Sequence, residues 1–286
     1  MQQKIIDLYD SYTHGGVSRR TFLDRLAVLA GGTAAATALL PMLENNYAHA
    51  DTVAESDPRV KGEMVTFKAG AQDVSGYLVR PAADGKYPSV VVVHENRGLN
   101  PHTKDVARRL AVDGFQALAV DLLSPIGGTP SDQDKARDMI GTLQAPDVTG
   151  WVQGAVAYLR GTATSNGKVG AVGFCWGGGV IGRLAVAEPT LDAGVVFYGQ
   201  QPPAEDVAKI KAPLLLNYAG MDERIDAGIP AFEEALKKNN KDYTLHMYEG
   251  AQHAFLNDTN EARYNKAAAE LAWGRTLEFF KKHLAA

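Results

Sequence analysis

The segment that decides the fold of this chain runs from residue 168 to residue 179 and reads KVGAVGFCWGGG. A short apolar run, a cysteine between two glycines and a glycine-rich continuation predict a strand, a sharp turn and a helix. In such a turn the small flanking residues make room for strained backbone, so that the central side chain, Cys175, stands above the end of the strand. The N-terminus of the helix favours negative charge and would stabilise a thiolate there.

Two further apolar runs end in residues that could complete a catalytic set. Residues 214–218 are followed by Asp222, and residues 243–248 are followed by His253. A single cysteine is more often a small buried hydrophobe. However, a cysteine, an acid and a histidine that each follow their own predicted strand favour a triad. In this interpretation His253 exchanges the thiol proton, and Asp222 orients the imidazole and stabilises its charged form.

Strand-like and helix-like segments alternate along the rest of the chain from residue 57 onward. The four consecutive valines of residues 90–93 are typical of a strand covered on both faces. The alternation predicts an α/β fold with a mostly parallel central sheet of about eight strands and helices on both faces. Ligands of such sheets bind beyond the carboxyl ends of the strands, where the triad candidates fall. The other predicted strands are residues 63–68 and 74–80, an antiparallel opening, with 115–121 and 193–198; the predicted helices are 100–113, 135–143, 148–160, 230–239 and 261–283.

The composition restricts the classes of partner and cofactor. The chain has 286 residues, of which 45% are hydrophobic and 22% charged, with a net charge of -4. This balance gives no sign of a nucleic-acid or anionic-membrane partner. The single cysteine forbids an internal disulfide and excludes cysteine-type metal clusters. Because His94, His102 and His246 lack metal-ligand spacing, we interpret them as structural and expect no metal site.

The first 50 residues form a separate segment. The motif SRRTFL at residues 18–23 precedes a weakly apolar stretch at 26–40 and a small-x-small site that ends at Ala50. This pattern predicts a twin-arginine export signal with cleavage after Ala50, and hence a periplasmic enzyme. The alternative is a cytoplasmic protein whose N-terminal helix stays attached. The stretch is too weakly apolar to be a stable membrane anchor, so we divide the chain into residues 1–50, a signal or extension, and a catalytic domain at 57–286.

Four motifs, in this order, give the chain a family resemblance: HENRGL at 94–99, GFCWGG at 173–178, GMD at 220–222 and GAQHAF at 250–255. From about residue 65 onward the chain resembles the dienelactone hydrolase (carboxymethylenebutenolidase) family of the α/β-hydrolase superfamily. The resemblance implies a Cys-Asp-His triad and hydrolysis of a small ester or lactone through an acyl-enzyme, without a cofactor. The alternatives are thioester cleavage or another acyl transfer at the same site, or a binding protein without turnover.

The resemblance also implies a catalytic role for Glu95, which would share a proton with Cys175 in the resting site. From the sequence itself, a carboxylate directly after four valines would be partly desolvated. The alternative is a structural ion pair with Arg97 or Arg108. The backbone N–H groups of Trp176 and Asn96 are expected to form the oxyanion hole.

Substrate binding is where this chain departs from the family pattern. The resemblance implies an arginine four residues after His253 that holds a substrate carboxylate, and Asn257 occupies that position. Arg97 or Arg263 could replace it, since guanidinium groups suit carboxylates. Phe255 and Asn257, which belong to the histidine segment, are further candidates for substrate contact. Because no arginine has the expected spacing, we expect a neutral substrate; the sequence predicts no oligomeric state.

Overall fold

The structure is a computed structural model that describes residues 1–285, apart from the side chain of His49. It confirms the predicted α/β architecture, and the elements follow in chain order. The strands are β1 Val60–Ala69, β2 Gln72–Pro81, β3 Tyr87–Val93, β4 Gln116–Asp121, β5 Ser165–Phe174, β6 Ala193–Phe197, β7 Leu214–Ala219 and β8 Tyr243–Tyr248. The α-helices are α1 Gln3–Thr13, α2 Arg19–Ala30, α3 Thr33–Leu43, α4 Pro101–Val112, α5 Gln133–Ile140, α6 Ala145–Gly161, α7 Trp176–Ala187, α8 Glu223–Asp226, α9 Ile229–Lys238 and α10 Lys266–Leu284.

The described strands form one eight-stranded sheet in the order β1-β2-β4-β3-β5-β6-β7-β8. As predicted, β1 and β2 pair in antiparallel register, and β2 also runs antiparallel to β4. The neighbours from β4 to β8 are all parallel to one another. The carboxyl ends of β5, β7 and β8 therefore meet at one edge of the sheet, where a ligand site is expected.

The sheet is covered on both faces, and a hydrophobic core lies on each face. Residues of α6, α7 and α9 pack on one face, and residues of α4 and α10 pack on the other. The valines of β3 show why the run is continuous: Val91 and Val93 belong to the first core, and Val90 and Val92 belong to the second. All four are fully buried, and each such side chain contributes roughly 1.5–3 kcal/mol to stability.

The last helix differs from its prediction, since α10 begins at Lys266 and not at residue 261. Asn265 caps the helix by accepting a hydrogen bond of 3.1 Å from the backbone N–H of Ala268. The preceding residues form turns. Within them, Asn260 donates to the carbonyl of Leu43 at 2.6 Å, so these turns hold the end of α3. The helical pattern of the sequence could not reveal this contact because it joins distant parts of the chain.

Helices α1, α2 and α3 share a small hydrophobic core of their own, in which the rings of Tyr12 and Phe22 stack 4.6 Å apart. Ser18, the first residue of the SRRTFL segment, caps α2 by accepting a hydrogen bond from the N–H of Thr21, and Gly31, which follows α2, has a φ of 83°. In the described chain no helix taken singly is long and apolar enough to cross a bilayer; α2 and α3 pass such a test only as a pair bent by 111°. The division into a signal or extension and a catalytic domain stays a prediction.

Candidate active site

Cys175 lies at the turn between β5 and α7 in a strained backbone conformation, with φ 55° and ψ -117°. Positive φ is uncommon for a residue with a Cβ and is found where the surrounding structure enforces it. Here close packing does so. A Cβ on Gly173 would overlap the carbonyl oxygen of Gly177, and a Cβ on Gly177 would overlap the carbonyl oxygen of His94. The two glycines of the motif are therefore required by contact between backbone segments.

The other two triad candidates are joined by a short contact. Nδ1 of His253, which follows β8, lies 2.5 Å from Oδ2 of Asp222, which follows β7. Both side chains are buried. Nε2 of His253 is also buried and has no hydrogen-bond partner among the described residues. The imidazole is thus oriented by the carboxylate through one nitrogen, and its other nitrogen is free for proton transfer.

A third side chain, which the sequence did not predict, reaches the cysteine from the N-terminal segment. His14 follows the last residue of α1, and its Nε2 lies 3.2 Å from Sγ of Cys175. Nδ1 of His14 lies 2.8 Å from the carbonyl oxygen of Asp10 and 3.2 Å from its Oδ1. The sulfur and one ring nitrogen from each of His14 and His253 all lie within 4.8 Å of one another.

This cluster favours a charged thiolate. Burial alone would raise the pKa of Cys175, but the imidazoles of His253 and His14 lower it to about 6. Burial opposes charge on His14, yet Cys175 and Asp10 raise its pKa to about 9. Burial likewise opposes charge on His253, while Cys175 and Asp222 raise its pKa well above the usual value. Near pH 7 the sulfur therefore carries negative charge and is paired with imidazolium groups.

Glu95 is buried in the same cavity as the cysteine. Its Oε2 accepts a hydrogen bond of 2.8 Å from the side-chain amide of Asn257, and its Oε1 has no partner among the described residues. The alternative ion pairs do not form, because Arg97 and Arg108 contact other carboxylates. The structure therefore leaves Glu95 free of a cation and one of its oxygens available.

The two residues expected at the oxyanion hole are both near the cysteine, Trp176 in the chain and Asn96 in the lining of the same cavity. Trp176 is the first residue of α7, and the first N–H groups of a helix have no acceptor within it. Asn96 follows β3 and lines the cavity, and its side chain donates to the carbonyl of Thr13 at 2.7 Å. The indole of Trp176 stacks on the ring of His94 at 5.5 Å.

The histidines interpreted as structural are not part of the cluster of His14, Cys175 and His253. Nδ1 of His94 donates to the carbonyl oxygen of Glu95 at 2.6 Å, because its Nε2 accepts from the N–H of Leu122 at 3.3 Å. Burial lowers the pKa of His94 and keeps it neutral. His102 faces Asp258, with Nδ1 and Oδ1 3.2 Å apart.

The candidate substrate-binding residues do not all face the site. Arg97 and Arg263 both line the cavity, but Nη1 of Arg97 is bound to Asp134 at 3.0 Å. The guanidinium of Arg263 lies over the ring of Tyr9 and 3.8 Å from Asp10, and its Nε has no partner among the described residues. Phe255 is fully buried among aromatic rings of the core, outside the cavity.

Two spaces adjoin the cluster. A cavity of about 10 Å³, room for about one water molecule, lies against Cys175. An open cleft of about 780 Å³ lies beside it and extends along α1 and α8. His14, His253 and Arg263 line both spaces, so these side chains separate the thiol from the cleft.

Sequence reasoning missed Asp10 and His14 because their segment was interpreted as an export signal. The sequence nonetheless contained a usable pattern, because a carboxylate four residues before a histidine on one helix places the two side chains side by side. Tyr198 was also missed. It has a φ of 38°, and its ring lies 5.1 Å from that of His253.

Comparison with known proteins shows which family the chain is similar to. The model of the Dienelactone hydrolase family matches residues 74–284, and a model described as YqhI-like matches residues 1–31. A protein of Saccharolobus solfataricus named "Putative carboxymethylenebutenolidase" is 34% identical over 230 residues, covering 68% of this chain and 89% of the relative. A Bradyrhizobium sp. protein named "Probable 2-oxo-3-(5-oxofuran-2-ylidene)propanoate lactonase" is 35% identical over 222 residues, covering 73% of this chain and 89% of the relative.

A solved structure gives the same result. One crystal structure, described as "Putative Dienelactone Hydrolase" from Klebsiella pneumoniae subsp. pneumoniae, superposes on this chain with a TM-score of 0.70 at 25% identity. The match covers 78% of this chain and 99% of that chain.

Proposed function

This chain belongs to the dienelactone hydrolase family, and we propose that it hydrolyses small esters or lactones with Cys175 as nucleophile and His253 and Asp222 as its partners. The observation that carries the proposal is the contact of 2.5 Å between His253 and Asp222 at the sheet edge where Cys175 lies. The lactone in the name of the Bradyrhizobium relative supports lactones as substrates.

In the acylation step the thiolate of Cys175 attacks the substrate carbonyl carbon. A carbon–sulfur bond forms, and the carbonyl π electrons move to the oxygen. When the tetrahedral intermediate collapses, the bond to the leaving alkoxide breaks and the alkoxide takes a proton from the imidazolium of His253. Asp222 keeps the imidazole oriented during this transfer and stabilises its charged form.

In the deacylation step water attacks the thioester, and the now neutral His253 removes one of its protons. The carbon–sulfur bond breaks, the carboxylic acid leaves, and Cys175 returns to the thiolate form while His253 is again charged. The backbone N–H groups of Trp176 and Asn96 are the proposed donors to the oxyanion in both steps. Preorganised donors of this kind contribute about 2.7–4 kcal/mol each in other acyl-transfer enzymes.

Glu95 is a second proposed proton acceptor, for the fraction of Cys175 that is still protonated near and below its pKa of about 6. Its unpaired buried Oε1 and its place in the cavity support this role, since an unpaired carboxylate oxygen there is free to accept a proton.

The proposal is tested with a panel of p-nitrophenyl esters, p-nitrophenyl thioesters and small lactones, and with Cys175→Ala as the matched variant. We expect the intact protein to hydrolyse at least one ester or lactone class, and Cys175→Ala to lose nearly all turnover while its thermal unfolding is unchanged. Preference for thioesters would favour the alternative acyl-transfer function. Wild-type rates in folded Cys175→Ala would contradict the proposed nucleophile.

A further inference from the structure

The last turn of α1 brings a second acid–imidazole pair to the nucleophile. Asp10 contacts Nδ1 of His14 through its carbonyl oxygen at 2.8 Å and its Oδ1 at 3.2 Å. Nε2 of His14 then points at Cys175, with 3.2 Å between the nitrogen and Sγ. As with Asp222 and His253, a carboxylate lies beside Nδ1 and Nε2 faces the sulfur, but the hydrogen bond to Nδ1 of His14 is made by the backbone carbonyl of Asp10.

The two imidazoles are not equivalent. Their ring centroids are 4.9 Å apart and the rings are nearly perpendicular, at 89°. His14 is within hydrogen-bond distance of the sulfur, whereas Nε2 of His253 has no hydrogen-bond partner among the described residues. One imidazole is therefore engaged with Cys175 at rest, and the other is unengaged.

We propose that His14, oriented by Asp10, is a second imidazole of the catalytic centre that holds Cys175 as a thiolate–imidazolium pair and leaves His253 free for proton transfer. The inference rests on the proposed function, because it requires Cys175 to be the nucleophile. His14 keeps its proton throughout the reaction. It stabilises the thiolate before attack and again when the thiolate leaves the thioester.

The electrostatic surroundings favour this pair. Burial lowers the pKa of His14, but Cys175 and Asp10 raise it to about 9. The imidazoles of His253 and His14 lower the pKa of the Cys175 thiol to about 6. His14 is thus charged and the thiol ionised across the interval between these values. The groups facing the pair come from several elements: Asp10, Arg224, Arg263, His253, Asp222, Glu95 and Tyr198.

A competing interpretation is that α1 and His14 only block access to the thiol of Cys175. The cavity at Cys175 measures about 10 Å³, and His14 separates it from the cleft of about 780 Å³. If His14 only obstructed the thiol, its removal would expose Cys175 and speed its reactions. The two interpretations therefore predict opposite changes for one substitution.

The test measures the rate of Cys175 alkylation by iodoacetamide against pH, together with kcat/KM for the best ester. In His14→Gln, which removes the positive charge, we expect the midpoint of the alkylation profile to rise by about one pH unit, with about tenfold slower alkylation on its acid side. We expect kcat/KM near neutral pH to fall. Asp10→Asn should shift the midpoint in the same direction, and it replaces His14→Gln as the test variant if His14→Gln does not fold.

Lys4→Gln is the matched control, because it removes one exposed positive charge from the same helix. Its profile should equal that of the wild type. An unchanged midpoint in folded His14→Gln, or faster alkylation at every pH, would overturn the inference. Since alkylation reports the thiolate without turnover, these outcomes are distinct from failure of the proposed function, which appears as turnover that survives Cys175→Ala.

Discussion

The side-chain amide of Asn257 donates a hydrogen bond of 2.8 Å to Oε2 of Glu95, which lines the cavity at the nucleophile. Asn257 also accepts from the N–H and hydroxyl of Thr259 at 3.1 and 2.6 Å. Its amide therefore joins Glu95 to the turn at Thr259. The position where the family resemblance implies a carboxylate-binding arginine has a structural role in this chain.

Substrate charge follows from this arrangement. Arg97 is paired with Asp134, and Asp10 lies 3.8 Å from Arg263, so a carboxylate already opposes the charge of each arginine. Desolvating a substrate carboxylate without a cation is costly. We expect a neutral methyl ester to have a higher kcat/KM than the matched free acid, measured on one scaffold. A preference for the acid of about tenfold or more, equivalent to about 1.4 kcal/mol, would contradict this expectation.

Glu95 and His14 are rival partners of the thiol, and one comparison separates them. Because an oxygen of Glu95 is held by Asn257 whereas His14 contacts the sulfur, Glu95→Gln should not raise the midpoint of the alkylation profile. Loss of a nearby negative charge favours the thiolate. The measurement is the same pH series used for His14→Gln. A raised midpoint in Glu95→Gln would identify the glutamate as the group that sets the thiol pKa.

Asp222→Asn tests the orienting carboxylate. The amide keeps the shape of the side chain but cannot stabilise a charged His253, and it favours the wrong tautomer. We expect kcat to fall by roughly 10²- to 10⁴-fold with little change in thermal unfolding. Steady-state kinetics on the best ester measure the effect. Near wild-type turnover would remove Asp222 from the triad.

The glycines that flank the turn at Cys175 allow a prediction about stability. A Cβ at Gly173 would overlap backbone in the turn, so Gly173→Ala should lower the free energy of unfolding by about 1–3 kcal/mol. Gly150→Ala is the matched control, because Gly150 lies inside α6 with open space around it. That change should raise stability by about 0.5–1 kcal/mol. Urea unfolding measures both, and equal effects would contradict the packing argument.

The N-terminal segment yields a prediction about processing. Export with cleavage after Ala50 would remove His14 and Asp10, while the attached-helix alternative retains them. Because Ala50 is buried and α1 reaches the thiol, we propose the attached form. Intact mass spectrometry of the protein from its native host should find residues 10–14 in the mature chain. A mature chain that begins at Asp51 would favour export and contradict this proposal.

The triad candidates at the carboxyl edge of the sheet were predictable because the sequence patterns that indicate them are local. Cys175, Asp222 and His253 each follow an apolar run, and parallel strands bring such ends together. The contribution of α1 was not predictable in this way. The contact between His14 and Cys175 joins residues far apart in the chain, and no local pattern states which segment covers an active site. The role of Asn257 was hidden for the same reason, since its partner Glu95 lies on a distant loop.

The central claim is that Cys175 carries the acyl group. The most direct measurement is mass spectrometry of the protein mixed with a p-nitrophenyl ester and quenched in acid during turnover, followed by peptide mapping. The account predicts one acyl group per chain, on the peptide that contains Cys175, and no such adduct in Cys175→Ala. An acyl group on another residue, or an equal adduct in folded Cys175→Ala, would contradict it.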